Sequence, residues 1–199
     1  GHSRNGKQVL IAAAMDERIS AVIPVSSGQG GACPARYFNE SCFGESIEMI
    51  TRAFPDWFCN NYRFFSGREN RLPVESNILL ALIAPRSLLI CEAANDGCSS
   101  IHGVYKSYFS AKNVYKSLNA SDKIAVALRQ GGHGVYPGFI DDTLDWLDMQ
   151  FGRLPADKIP SVKALCDDSK SPYPQYKQKI SKSFDKLPDK FPNDVNQWP

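Results

Sequence analysis

Three residues have the types and the chain order for acyl transfer: Ser3, Asp96 and His133. A serine hydroxyl is a poor nucleophile until a base takes its proton. An imidazole titrates near neutrality and can take it. A carboxylate on the far ring nitrogen fixes the tautomer and steadies the imidazolium. Ser3 lies in Gly1-His2-Ser3-Arg4-Asn5-Gly6-Lys7. This is close to the nucleophile elbow G-x-S-x-G, with the second glycine one place late. Small flanking residues let the backbone turn sharply while the serine points outward. A helix beginning there offers backbone N–H groups and a positive dipole end to a developing oxyanion. Singly, each signal is weak, since Asp96-Gly97 is a common turn pair and a histidine among glycines is often structural. The order serine, acid, histidine, with Asp96 and His133 each just after a predicted strand, carries the reading. Glu92 and Glu40 are the competing acids; Glu92 ends a strand, Glu40 sits in irregular sequence, and Asp96 occupies the post-strand loop. His2 neighbours the serine and reads as a pocket-shaping residue rather than the base. His102 is the third histidine.

The elements that must position these residues follow the order of an α/β fold. Residues 3–15 read as a helix with Val9, Leu10, Ala13 and Ala14 on one face. Residues 19–25 (ISAVIPV) and 87–92 (SLLICE) read as strands buried on both faces, and 124–128 (IAVAL) as a third. Helices are expected over 75–84, stopped by Pro85, and over 104–118. A closing helix over 139–151 carries Phe139, Ile140, Leu144, Leu147 and Phe151 at helical spacing. The expectation is the C-terminal part of an α/β hydrolase, a mainly parallel sheet flanked by helices, spanning residues 1–152. Within it, 33–73 is an aromatic excursion that walls a pocket and holds a short helix at 45–53. Residues 153–199, with seven prolines and eight lysines, read as an extended tail. No strand precedes the elbow. The N-terminal half of the fold, with the second oxyanion donor, is therefore expected outside residues 1–199, on the same polypeptide or another chain. Alone, these residues would expose a sheet edge and be poorly stable.

Composition removes several classes. The formal net charge is +2 and no Lys/Arg block forms a nucleic-acid footprint. No run of apolar residues is long enough to span a bilayer. Ser26 to Gly31 is a glycine-rich loop at a strand end, but no Gly-Lys-Ser/Thr follows to cradle phosphate. Six cysteines include no CxxC pair, which argues against a zinc site. The even count, with glycosylation sequons at Asn39 and Asn119, favours a secreted, oxidising setting. Cys33, Cys42 and Cys59 are the disulfide candidates, with no pairing assigned. Cys91 reads as a buried free thiol.

Several stretches carry a resemblance. GHSRNGK resembles the elbow G-C-S-R-N-G-K of the glucuronoyl methylesterases, a carbohydrate-esterase family of α/β hydrolases. Ile23-Pro24, then Ser27-Gly28-Gln29-Gly30-Gly31 and Arg36, is similar to that family's I/L-P-x-x-S-G-x-G-G segment and later arginine. Asp56-Trp57-Phe58 is similar to its P-W-F, and Leu72-Pro73 with Leu80 to Arg86 to its L-P … L-A-L-I-A-P-R. The resemblance covers roughly residues 1–151. It implies Ser3 as nucleophile, His133 as base and Arg4 as oxyanion donor. Lys7, Trp57 and Gln29 would contact the sugar, and no metal or organic cofactor would be needed. Many fungal members carry their triad acid where Ser26 stands, so the resemblance implies the other arrangement, with Asp96. They also have a sugar-holding tryptophan beside the position of Asp96, here Gly97. Where they have the elbow cysteine, this chain has His2, so their active-site disulfide is not expected.

The reading is a serine esterase acting on a carbohydrate carboxylic ester, such as a 4-O-methyl-glucuronoyl ester, through an acyl-enzyme. The rivals are a broader carboxylesterase or acetyl esterase of the same fold, and a non-catalytic carbohydrate-binding or structural protein that retains the fold.

Overall fold

The computed structural model describes residues 1–37 and 45–170. Its centre is β2 (Ser87–Ala93), buried at every position. β2 runs parallel to β1 (Ala21–Val22) on one side and to β3 (Ile124–Arg129) on the other. Alternate β2 residues face opposite layers, as the pleat requires. Leu88 and Ile90 pack with α1 (Arg4–Met15), α3 (Ser76–Leu82) and α4 (Ile101–Ser117). Leu89, Cys91 and Ala93 pack with Phe139 and Trp146 of α5 (Pro137–Gln150) and Val162 of α6 (Ile159–Lys163). Apolar character on both faces is the mark of a strand sandwiched between helical layers.

The strand expected over 19–25 is shorter. Only Ala21–Val22 forms a continuous ladder, and pairing resumes at Val25, which bridges His2 and Cys91. Pro24 lies between and has no N–H to donate, although its carbonyl accepts from the Cys91 N–H at 3.0 Å. The pairing of His2 with Val25 adds residues 1–3 to the sheet beside β1. Arg86, the last residue of the ALIAPR stretch, ties α1 to this layer. Its guanidinium donates to the carbonyls of Ala13, Asp16 and Ile19 at 2.7–3.0 Å, capping orphan acceptors at the helix end. α4 starts before the expected residue 104, because the Ser100 hydroxyl accepts from the Gly103 N–H and caps it there.

Two expectations are corrected. On α5 the core is filled by Phe139 and Trp146, while Ile140, Leu144 and Phe151 are about half exposed. The helical spacing was right, but the buried stripe runs through Trp146. Residues 153–170 are not an extended tail. They form α6 and short 3-10 turns. The buried Lys112 ammonium anchors them, donating to the Cys166 carbonyl at 2.6 Å and to Asp168 at 2.7 Å. Residues 171–199 lie outside the described part.

The excursion after Gly31 includes α2 (Ile47–Ala53) and is tied back by a buried ion pair. Arg36 Nε donates to Glu75 at 3.0 Å and Nη2 to the Leu72 carbonyl at 3.1 Å. The backbone N–H groups of Ala35 and Arg36 donate to the same carboxylate. Arg36→Ala leaves that carboxylate buried and without its counter-charge, at a cost of about 3–5 kcal/mol. The urea midpoint should fall accordingly, and removing the charge of both partners while keeping an acceptor for the backbone N–H groups (Arg36→Met with Glu75→Gln) should recover part of the loss. A single-variant loss below about 1 kcal/mol would contradict a pinning role for the pair.

Candidate functional site

The backbone at Ser3 has φ 56° and ψ −126°, a strained conformation for a residue with a side chain. Neighbouring hydrogen bonds hold it. The Ser3 N–H donates to the Val25 carbonyl at 2.9 Å, and the Val25 N–H to the Gly1 carbonyl at 2.8 Å. The late glycine has a structural reason. A Cβ on Gly6 would stand 2.9 Å from Ser27 Cβ and 3.1 Å from the Gly1 carbonyl oxygen. Close packing of the helix against the strand-end loop therefore sets the position of the small residue.

The strand ends bring Ser3, His133 and Asp96 into one hydrogen-bonded series. His133 Nε2 is 2.9 Å from Ser3 Oγ. His133 Nδ1 is 3.0 Å and 3.2 Å from the two Asp96 oxygens. The Asp96 side chain is fully buried and accepts from the Cys98 N–H at 2.8 Å, while the imidazole is 31% exposed. The two loops are laced together, with Ala94 N–H to Arg129 carbonyl and Asn95 N–H to Gly131 carbonyl. Tyr136, overlooked in the sequence, clamps the histidine loop. Its hydroxyl accepts from the Gly132 N–H at 3.0 Å and donates to the Gly132 carbonyl at 3.1 Å. A Cβ on Gly131 (φ 128°) would strike the Tyr136 ring, so glycine is needed there.

Glu92 does not compete for His133. It is fully buried, accepting from Ser99 Oγ at 3.2 Å and from the Ala93 N–H. Burial, then the nearby Asp96 charge, pushes its carboxyl up to about 8. Glu40 and Asn39 lie outside the described residues. His2 lies beside His133, ring centroids 4.8 Å apart and tilted by 43°, and burial and the neighbouring His133 hold its pKa down. His102 is buried in α4 against Tyr37.

The remaining sequence candidates separate. Arg4 opens α1, so its backbone N–H has no acceptor farther back in the helix. Its guanidinium sits 5.4 Å from the Trp57 ring centre, and Trp57 stacks on Phe54 at 4.0 Å. These residues, with Lys7, Gln8 and Ile11, line a cavity of about 340 Å³. Lys7 is 4% exposed and its ammonium already has protein partners, Glu45 at 2.5 Å and the Ser27 carbonyl at 2.6 Å. Glu45 was missed in the sequence, where it looked like the start of a helix. The signal was the buried cation on α1, which needs a nearby anion. Burial pushes the Glu45 carboxyl up and the Lys7 charge opposes it. Gln29 is buried outside the cavity lining, and its Oε1 has no hydrogen-bond partner. Asn119 is exposed at the end of α4 with φ 56°.

The cysteine expectations are corrected in part. Among the described residues Cys33, Cys59, Cys91, Cys98 and Cys166 are all free. Cys33 is buried under Gly103 and hydrogen-bonded to Ser100, and burial pushes its thiol up, so it acts as packing. Cys59 is exposed, and Cys42 lies outside the described residues. Cys91 is a buried free thiol as expected.

Residues 1–119 match the family model described as glucuronyl esterase, fungi. The chain belongs to this family. Similar proteins include carbohydrate esterase MZ0003 from an unknown prokaryotic organism, 39% identical over 59% of this chain and 26% of that protein. A 4-O-methyl-glucuronoyl methylesterase 1 from Phanerochaete chrysosporium is 32% identical over 67% of this chain and 29% of that protein. Among solved structures, a family 15 carbohydrate esterase (CE15) from Caldicellulosiruptor kristjansonii, described as a glucuronoyl esterase, superposes with TM-score 0.74 at 30% identity. It covers 94% of this chain and 48% of its own. A CE15 esterase from a marine bacterial metagenome, described as promiscuous, gives TM-score 0.69 at 33% identity over 75% of this chain and 41% of its own. The fold is thus that of the α/β hydrolases, and the chain spans about half or less of each relative's length. No helix among the described residues is long and apolar enough to cross a membrane.

Glu92 makes stability depend on pH. Its native pKa, near 8, stands above the unfolded value near 4.5. The native state therefore holds a proton that the unfolded chain releases, and this contribution to stability falls as pH rises from about 4.5 to about 8. Glu92→Gln should flatten that slope in a series of melting temperatures. A slope unchanged by the substitution would place the proton elsewhere.

Proposed function

We propose that this chain carries the nucleophile, base and acid of a serine esterase cleaving a carbohydrate carboxylic ester. The observation that carries the reading is the hydrogen-bonded series Ser3 Oγ, His133 Nε2, His133 Nδ1, Asp96, with Ser3 on a strained turn at the start of α1. His133 Nε2 takes the Ser3 proton as Oγ attacks the ester carbonyl. The oxyanion meets the Arg4 N–H and the positive end of α1, with the guanidinium alongside. Protonated His133 gives its proton to the leaving alcohol, and water then releases the acid by the reverse sequence. Buried Asp96 holds the Nδ1–H tautomer throughout.

The substrate class follows from kinship and from the cavity. Trp57 offers a sugar a flat apolar face beside the Arg4 charge. Lys7 has three N–H donors and spends two on Glu45 and Ser27, leaving one for a sugar hydroxyl. A 4-O-methyl-glucuronoyl ester, the substrate in the names of several relatives, fits this set. One observation favours a broader ester range. Gly97 leaves open space beside Asp96, and a relative at 33% identity is described as promiscuous. Kinship with fungal enzymes and the exposed sequon at Asn119 support a secreted glycoprotein.

A fluorophosphonate probe should label Ser3 in the folded chain, and Ser3→Ala should abolish both labelling and p-nitrophenyl acetate turnover. An unlabelled Ser3 would favour a non-catalytic binding protein. Asp96→Asn should lower kcat by about 10⁴, the scale for a mis-set histidine tautomer, whereas Glu92→Gln should leave it within about tenfold. The reverse result would transfer the acid role to Glu92. Faster turnover of methyl glucuronate than of acetylated xylan supports the narrow reading, and comparable rates support the broad one.

A further inference from the structure

Cys98 stands two residues beyond Asp96, and its thiol has no part in the proton relay. Its Sγ, an Asp96 carboxylate oxygen and a His133 ring nitrogen all lie within 4.8 Å of one another. Thiolate, imidazole and carboxylate are ligands that Zn²⁺ accepts, at about 2.3 Å from sulfur and about 2.0–2.2 Å from nitrogen and oxygen. A tetrahedral ion with those bonds sets its ligand atoms about 3.3–3.7 Å apart. Closing even the widest separation this group allows needs about 1 Å of movement. The loop has room to supply it: nothing lies within 4 Å of where a Gly97 Cβ would be, Cys98 is only half-buried, and the imidazole is 31% exposed.

We propose that Asp96, Cys98 and His133 form a three-ligand site for Zn²⁺, or a softer divalent ion such as Cd²⁺, and that filling it switches the esterase off. The inhibitory half rests on the esterase reading above; the metal site does not. An ion bound to His133 Nδ1 replaces the hydrogen bond to Asp96. The imidazole's one proton then resides on Nε2, and an N–H faces Ser3 Oγ where a lone pair is needed. The base has nothing with which to accept the serine proton. As the sulfur–metal bond forms, the Cys98 thiol proton passes to solvent, and no electron transfer is involved. The fourth position stays open to water, unlike a closed structural zinc site.

The test is a Cd²⁺ titration of the full chain, followed by the ultraviolet charge-transfer absorption of the cadmium–thiolate bond. Wild type and Cys59→Ala, which lacks the thiol that is exposed among the described cysteines, should show the same saturable step. Cys98→Ala and Cys98→Ser should lose it. His133→Gln should weaken it by at least about tenfold, the low end for disturbing a metal's ligand shell. In turnover assays Zn²⁺ should inhibit wild type and Cys59→Ala. The Cys98 variants should keep the metal-free rate and need at least about tenfold more Zn²⁺ for the same inhibition. An identical Cd²⁺ step in the Cys98 variants would overturn the site. A Cys98-dependent step without inhibition would overturn the switch. A Cys98-dependent step in a chain that turns over no ester would uphold the site and count against the esterase reading alone.

Discussion

The pairing of residues 1–3 with Val25 is the constraint on which the site depends. Ser3 occupies a backbone region that L-residues avoid, and such strain persists only where its surroundings over-determine it. Here the Gly1 carbonyl and the Ser3 N–H are both spent on Val25, and Val25 is held from its other side by Cys91 of the neighbouring strand. β2 thus transmits position in two directions. Through Val25 it fixes the serine, and through its own C-terminal loop it fixes Asp96. β3 runs in register beside β2 and delivers His133. Parallel pairing puts all three loops at the same sheet edge, which is why short post-strand segments suffice to assemble the relay.

The relay was legible in the sequence because its residues follow strand ends, and strand ends are written in composition. SLLICE and IAVAL leave no doubt about burial on both faces, and the turn residues after them locate the chemistry. The interruption of β1 was legible at Pro24, whose missing N–H argues for the strand's end. Features that depend on contacts across the fold were not legible. Glu45 is separated from Lys7 by 38 positions, and nothing local marks it as a counter-ion. Nothing local marks Tyr136, whose hydroxyl closes both backbone groups of Gly132. On α5, periodicity identified the helix but not which of two apolar stripes would be covered. Trp146 won that choice because a large ring opposite Leu89 and Ala125 fills volume that Leu144 cannot reach from the other side.

The cysteines illustrate the same limit from the other direction. Cys33 looked suited to a disulfide because it lies in loop-rich sequence. The fold instead buries it at a close helix–loop contact, where Gly103 has no room for a Cβ within 2.9 Å of its sulfur. A thiol in that position fills space. Cys98, unremarkable in the sequence, is the thiol that the fold carries to the imidazole.

Two buried ion pairs lie near this edge of the sheet, Lys7 with Glu45 and Arg36 with Glu75. Such pairs are weak contributors to stability, since desolvation consumes most of the Coulombic gain. Their geometry points to a different use. Lys7 Nζ bonds the Ser27 carbonyl on the loop that Gly6 packs against, so the charge pair holds α1, the glycine loop and the start of the excursion in one arrangement. Glu92, by staying protonated, avoids placing a second negative charge beside Asp96, where it would weaken the preference of the single carboxylate for His133. A site that must hold a serine in a strained turn gains more from such fixed polar contacts than from added apolar area.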